Sequence, residues 1–123
     1  MNDDELEAGL PAPKRVGPPE VEPVTIGNVR YEVVHWGRER GLGQNGGYLE
    51  AFDAASGASL WLLQVYVIDY DPDLEEDVQD VFIETLRAGR GGRTLEITDE
   101  RGRRYTLDLA SRAVQAHGVR GGR

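Results

Sequence analysis

The chain has 123 residues, a formal net charge of −8 from 22 acids and 14 bases, and no cysteine. That length fits one domain, and the missing cysteine excludes disulfides and thiolate metal sites. No apolar run approaches the ~20 residues of a membrane-spanning helix, and the acidic start Met1-Asn2-Asp3-Asp4-Glu5 lacks the basic residues of a secretory signal, so a soluble, cytoplasmic protein without membrane association is expected.

Residues 1–25 are acidic, hold Pro11, Pro13, Pro18, Pro19 and Pro23, and show no apolar period. They read as a disordered acidic arm ahead of the folded part. Val29 to Trp36 alternates, with Val29, Tyr31, Val33 and His35 on one face, and predicts a strand. Gly37 to Gly47 follows, rich in glycine and carrying Arg38, Arg40 and the turn signal Asn45-Gly46. A long Gly-rich loop inside a compact domain is often functional or mobile. Tyr48 to Asp53 is a second strand, closed by a turn at Ala54-Ala55-Ser56-Gly57 in which Asp53 or Ser56 can accept from nearby backbone N–H groups.

The densest apolar run, Leu60 to Ile68, is broken only by Gln64. Its β-branched and aromatic content predicts a strand. Both of its faces are apolar, so a central strand covered on both sides is expected. Asp71-Pro72 then matches a helix start, with Asp73, Glu75 and Glu76 suited to the positive end of the helix dipole. A short helix over Pro72–Asp77 and a strand over Val81–Ala88 are expected, the alternative being one helix to Ala88, since Leu74, Val78, Val81, Phe82 and Leu86 keep a helical spacing. Arg93–Asp99 and Arg103–Leu109 form the clearest hairpin, around Asp99-Glu100-Arg101-Gly102. From Gln115 the chain is Gly- and Arg-rich and reads as a flexible tail.

These elements amount to a mainly β protein: a small antiparallel meander, sandwich-like or a partly open barrel, of about six strands with one short helix. Its single β-rich domain spans 26–114, between the arm at 1–25 and the tail at 115–123. An internal echo runs through it. Phe52-Asp53-Ala54-Ala55-Ser56-Gly57-Ala58 parallels Leu107-Asp108-Leu109-Ala110-Ser111-Arg112-Ala113, which suggests either two related meander halves or one turn chemistry used twice.

The stretch from Tyr48 to Trp61 resembles a blade hairpin of the quinoprotein-type β-propeller repeat, on Ala51, Asp53, Ala54, Gly57 and Trp61, with Ser56 in place of the family's Thr. The resemblance covers about a fifth of the chain and implies a blade-like local fold. It does not imply quinone binding, because a propeller needs four or more blades of four strands.

Three sets of residues carry candidate chemistry. His35 at the mouth of the Gly-rich loop, with Arg38, Arg40 and Asn45, is a candidate ligand site in which loop N–H groups and arginines cradle an anion. Asp69, Asp71 and Asp73 alternate as calcium ligands do, although Leu74 stands where a calcium loop needs Gly and Pro72 stiffens the turn. No cofactor is expected, calcium at Asp69, Asp71 and Asp73 being the alternative to a solvated acidic turn. The seven acids between Asp69 and Asp80 face nine arginines between Arg87 and Arg123, so Arg101, Arg103 or Arg104 is expected across from the acidic turn. Overall acidity argues against specific nucleic-acid binding. No nucleophile and base can be paired from the sequence. The expectation is therefore a small non-catalytic protein-interaction module with an unidentified protein partner. The alternative is a small-molecule or anion-binding protein, possibly an enzyme, built on the loop 37–47 with His35.

Overall fold

A computed structural model describes residues 17–119. Among these, the chain forms eight strands in two antiparallel sheets of four: β1 (Val24–Ile26), β2 (Val29–Val34), β3 (Tyr48–Asp53) and β4 (Ser59–Gln64) in one, β5 (Ile83–Ala88), β6 (Thr94–Asp99), β7 (Arg103–Asp108) and β8 (Val114–Val119) in the other. Each sheet is a meander whose strand order equals its chain order. Neither closes into a barrel. The expected mainly β class is observed, with eight strands rather than about six.

The two sheets bury one core. Tyr31, Leu49, Ala51 and Val65 come from the first half, and Ile83, Leu86, Leu95, Ile97, Tyr105 and Leu107 from the second. Leu49, Ala51, Ile83, Leu95 and Leu107 are fully buried. In β6 and β7 the burial alternates along the strand, as it does when one face meets the core and the other meets water. Rings join the halves: Tyr66 stacks on Tyr105 at 5.3 Å between centroids.

The expected boundaries shift outward. Val24 and Thr25 already belong to β1, and Val21 packs against the core, so the folded part begins inside the predicted arm. At the other end β8 runs to Val119, where a flexible tail from Gln115 was expected. Its Gly- and Arg-rich composition hides a strand held by backbone pairing to β7. The remainder of the acidic arm, 1–16, and of the tail, 120–123, lies outside the described residues.

The run Leu60–Ile68 is not a central strand. β4 ends at Gln64 and forms an edge of its sheet, with Trp61, Leu63 and Val65 toward the core. Leu60 and Leu62 are 49% and 38% exposed. The four-stranded meander leaves β4 with no second neighbour. Beyond it, the Gln44 side chain donates to the Tyr66 carbonyl at 2.9 Å and accepts from Ile68 N at 2.8 Å, drawing the backbone groups that a longer strand would have paired. The short helix α1 is Glu76–Gln79, not Pro72–Asp77. Asp71 does not cap it: its Oδ1 accepts from Asp73 N at 2.9 Å, closing a local turn. The strand expected from Val81 begins at Ile83, and Val81 and Phe82 are buried just ahead of it.

Candidate functional site

The Gly-rich loop is a packed element. It starts with a 3-10 turn over Gly37–Arg40 and folds back on itself through Gly37 N to the Asn45 carbonyl (3.0 Å), Leu42 N to the Gly37 carbonyl (3.0 Å) and Gly41 N to the Arg38 carbonyl (3.1 Å). Two of its glycines are required by contact. A Cβ on Gly37 would stand 2.3 Å from the Gln44 carbonyl oxygen, and one on Gly46 would stand 2.5 Å from that of Val81. The loop covers the outer face of β3, which explains why Tyr48, Leu49, Glu50 and Ala51 are buried in succession.

Gln44, only 3% exposed, is its organising side chain: it also donates to the Gly46 carbonyl at 2.8 Å. Loop glycines and chain segment 65–68 are thereby held together, and Val65 N donates to the Gly47 carbonyl at 2.7 Å. The Tyr66 hydroxyl donates onward to the Val81 carbonyl at 2.6 Å. Its burial, with the Asp99 charge second, raises the phenol's pKa.

The structure brings two of the four candidate ligand residues together. Arg38 N donates to Asn45 Oδ1 at 3.2 Å, and Asn45 Nδ2 donates to Asp80 Oδ2 at 3.1 Å. The Arg38 guanidinium lies 5.0 Å from the Tyr70 ring centroid and 3.5 Å from Glu76. The Tyr70 hydroxyl donates to Asp80 Oδ1 at 2.5 Å. Burial first, and this bond second, push the Tyr70 phenol up to about 12.

His35 and Arg40 point elsewhere. Arg40 forms a two-pronged pair with Glu50 on the outer face of β3, at 2.8 and 3.2 Å, and Ser59 Oγ donates to the same carboxylate at 2.7 Å. The Arg40 hydrogen bond holds the Glu50 carboxyl below its ordinary value. Glu32 is the cross-strand neighbour of Glu50, and it has its own partner in Arg30 at 2.6 Å. Each of two facing carboxylates thus carries an arginine, which removes the repulsion that like charges in register would cause.

His35 Nε2 donates to the Pro19 carbonyl at 2.8 Å, which fixes the tautomer and leaves Nδ1 as a buried lone pair without a hydrogen-bond partner. The ring meets Phe82 edge-on at 5.3 Å. Burial is the largest influence on its pKa and lowers it, against smaller upward effects of the Pro19 bond and the Glu100 charge. Such a group anchors the entering chain; no acid–base partner stands on Nδ1.

Among the described residues, no group of three or more His, Asp or Glu side chains is arranged to hold a metal ion. Of the calcium candidates, Asp71 is tied into its own turn, and Asp69 lines a cleft of about 470 Å³. That cleft was not foreseen. Val67, Ile68, Leu74, Val78, Gln79, Val81, Arg101 and Arg103 complete its lining. Val67, Leu74 and Val78 are 76%, 56% and 61% exposed, a high share for aliphatic side chains grouped around one opening. Gln79 holds the lip in place, since its amide donates to the carbonyls of Asp71, Leu74 and Glu75 and its oxygen accepts from Asp71 N. Arg101 and Arg103 do border this acidic segment, as expected. Arg103, however, is paired with the fully buried Asp99 at 2.9 Å, and the ion pair to the segment itself is made by Arg38. The signal for the cleft lay in Leu74 and Val78, which read as one face of a helix and are displayed to solvent instead.

Compared with models of protein families and with curated proteins, the chain matches none of them. No helix among the described residues is long and apolar enough to cross a membrane.

Proposed function

We propose that the protein is a non-catalytic interaction module that docks a protein partner in the cleft between the acidic segment and the β6–β7 turn. The observation that carries this reading is the grouping of exposed Val67, Leu74 and Val78 around one opening. Asp69 lines it on one side and Arg101 and Arg103 on the other, so the partner segment presents an apolar anchor flanked by groups of both charges. The loop 37–47 supports the alternative less well. Its N–H groups at Gly37, Arg38, Glu39, Gly41 and Leu42 are spent inside the loop, and Arg40 is committed to Glu50. We read the likeness to a propeller-blade hairpin as one of strand-and-turn chemistry, carrying no cofactor.

Affinity capture with the full chain tests the proposal. A captured partner is expected to bind less as salt rises. It should be lost at least tenfold on Leu74→Ser with Val78→Ser, two exposed changes that leave the melting temperature unmoved. A partner retained at full strength by that double variant would overturn the assignment of the cleft.

A further inference from the structure

A second surface stands out apart from the cleft. The meanders leave four sheet edges, and three of them are blunted. β1 is three residues long and follows Pro23; β5 exposes Glu84 and Arg87; β8 exposes Gln115, Ala116 and His117. These are the usual defences of an edge. β4 has neither a charge, a proline nor a short span to blunt it, and its one irregularity is a bulge at Leu60. Ser59-Leu60-Trp61-Leu62-Leu63-Gln64 has no charge and no proline, and it exposes Leu60 and Leu62. A six-residue apolar edge of this kind is a template for another strand.

We infer that β4 is a self-association edge, whose occupant is β4 of a second copy of the chain, paired antiparallel across a two-fold axis near Leu62. The electrostatics favour a copy. A chain of net charge −8 repels itself over most of its surface, so a symmetric contact needs a neutral patch. β4 supplies one. The nearest carboxylates on its outer face, Glu50 and Glu32, are each neutralised by an arginine, and Phe52 lies under the Arg30 guanidinium at 4.9 Å. In this register Leu62 meets its counterpart and Trp61 meets Leu63 of the copy, so no like charges face each other. The product is a continuous eight-stranded sheet with the leucines of both copies on one face.

Sedimentation equilibrium of the full chain over a range of concentrations tests this. A concentration-dependent rise from 13.6 kDa toward twice that mass is expected. Leu62→Lys and, separately, Leu60→Lys should hold the chain at the single mass, because the first places like charges at the axis and the second puts a charge on the apolar face that the two copies share. Both positions are exposed, so circular dichroism and melting temperature should match the parent. Val78→Glu in the cleft should leave the dimer intact. A chain that stays at 13.6 kDa at every concentration overturns the inference. So does a dimer that survives both lysine variants, or one that Val78→Glu abolishes.

Discussion

The two sheets end on the same turn and differ in the connection before it. In the first, Asp53 Oδ1 accepts from Ala55 N at 2.9 Å and Ser56 N at 3.1 Å, and Ser56 Oγ accepts from Ala58 N at 3.2 Å. In the second, Asp108 and Ser111 make the same three bonds, at 2.9, 3.1 and 3.2 Å, to Ala110, Ser111 and Ala113. The backbone closures match too: Asp53 N to the Ala58 carbonyl at 2.8 Å, Asp108 N to that of Ala113 at 2.9 Å. The connection from the second strand to the third, by contrast, takes residues 35–47 in one sheet and only 100–102 in the other. The long connection buries β3 on both faces and is organised by Gln44. The short one leaves the outer faces of β6 and β7 in water and is organised by Asp99, which accepts from Arg101 N, Arg103 N, Arg103 Nε and the Tyr105 hydroxyl. Two sheets of one plan therefore acquire different surfaces through one loop.

The strongest test of this contrast removes the two organising side chains. Asp99→Ala strands the buried Tyr105 hydroxyl and takes the acceptor from two part-buried turn N–H groups. At a cost of roughly 1–3 kcal/mol per unsatisfied group, a loss of about 3 kcal/mol is expected in urea unfolding. Arg103 contributes little to this, being free to turn to solvent. Gln44→Ala leaves Ile68 N without its partner and should cost about 1–3 kcal/mol by the same measure. Equal losses in both variants would blur the distinction between the connections.

A second test concerns the close packing of the long loop. Gly46→Ala forces a methyl group against the Val81 carbonyl and Phe82, and overpacking of this kind costs about 1–3 kcal/mol. Gly43→Ala in the same loop meets nothing within 4 Å and should be neutral or slightly stabilising. A neutral Gly46→Ala would mean that the loop gives way easily and does not act as a fixed cover for β3.

The matched turns offer a smaller and sharper comparison. The position that is Gly57 in one turn, at φ 80°, is Arg112 in the other, at φ 63°. Gly57→Ala should cost about 1 kcal/mol, the usual penalty of a left-handed side-chain-bearing residue. Arg112→Gly should gain a similar amount from backbone relief and lose about 0.5–1 kcal/mol with the guanidinium over the Trp61 ring, so that thermal unfolding barely moves. A large change in the second variant would show that the two turns are not equivalent.

The smallest effect is a pH slope carried by the first sheet. The His35 pKa is lowered, so below its ordinary 6.5 the folded state binds fewer protons than the unfolded one. The His35 contribution is complete above about pH 6.5 and is lost as pH falls through the folded-state value. Glu50, held below its ordinary 4.5 chiefly by Arg40, adds a second decline at lower pH. His35→Gln should flatten the first decline and leave the second in denaturation midpoints measured against pH. A first decline that persists in this variant would assign it to another group.

The sequence by itself determined the local chemistry: the strands β2, β3, β6 and β7, the Asp-and-Ser turn used twice, and the β-rich class. Each follows from alternation or turn residues within a few positions, where neighbours along the chain are the neighbours in space. Of the candidate sites it singled out the loop 37–47, and it showed that Leu74 and Val78 share a helical spacing. It could not show that Arg40 turns to Glu50, that Arg38 and Asn45 converge on Tyr70 and Asp80, or that Gln44 and Asp99 are buried, because those partners are set by how the sheets meet. Tertiary structure alone decided that Leu60–Gln64 is an edge. A strand's own residues report that it is apolar, and only the order of the strands beside it says whether a neighbour covers it. The same holds for Gln115–Val119, whose backbone finds in β7 the partner that its composition gave no reason to expect.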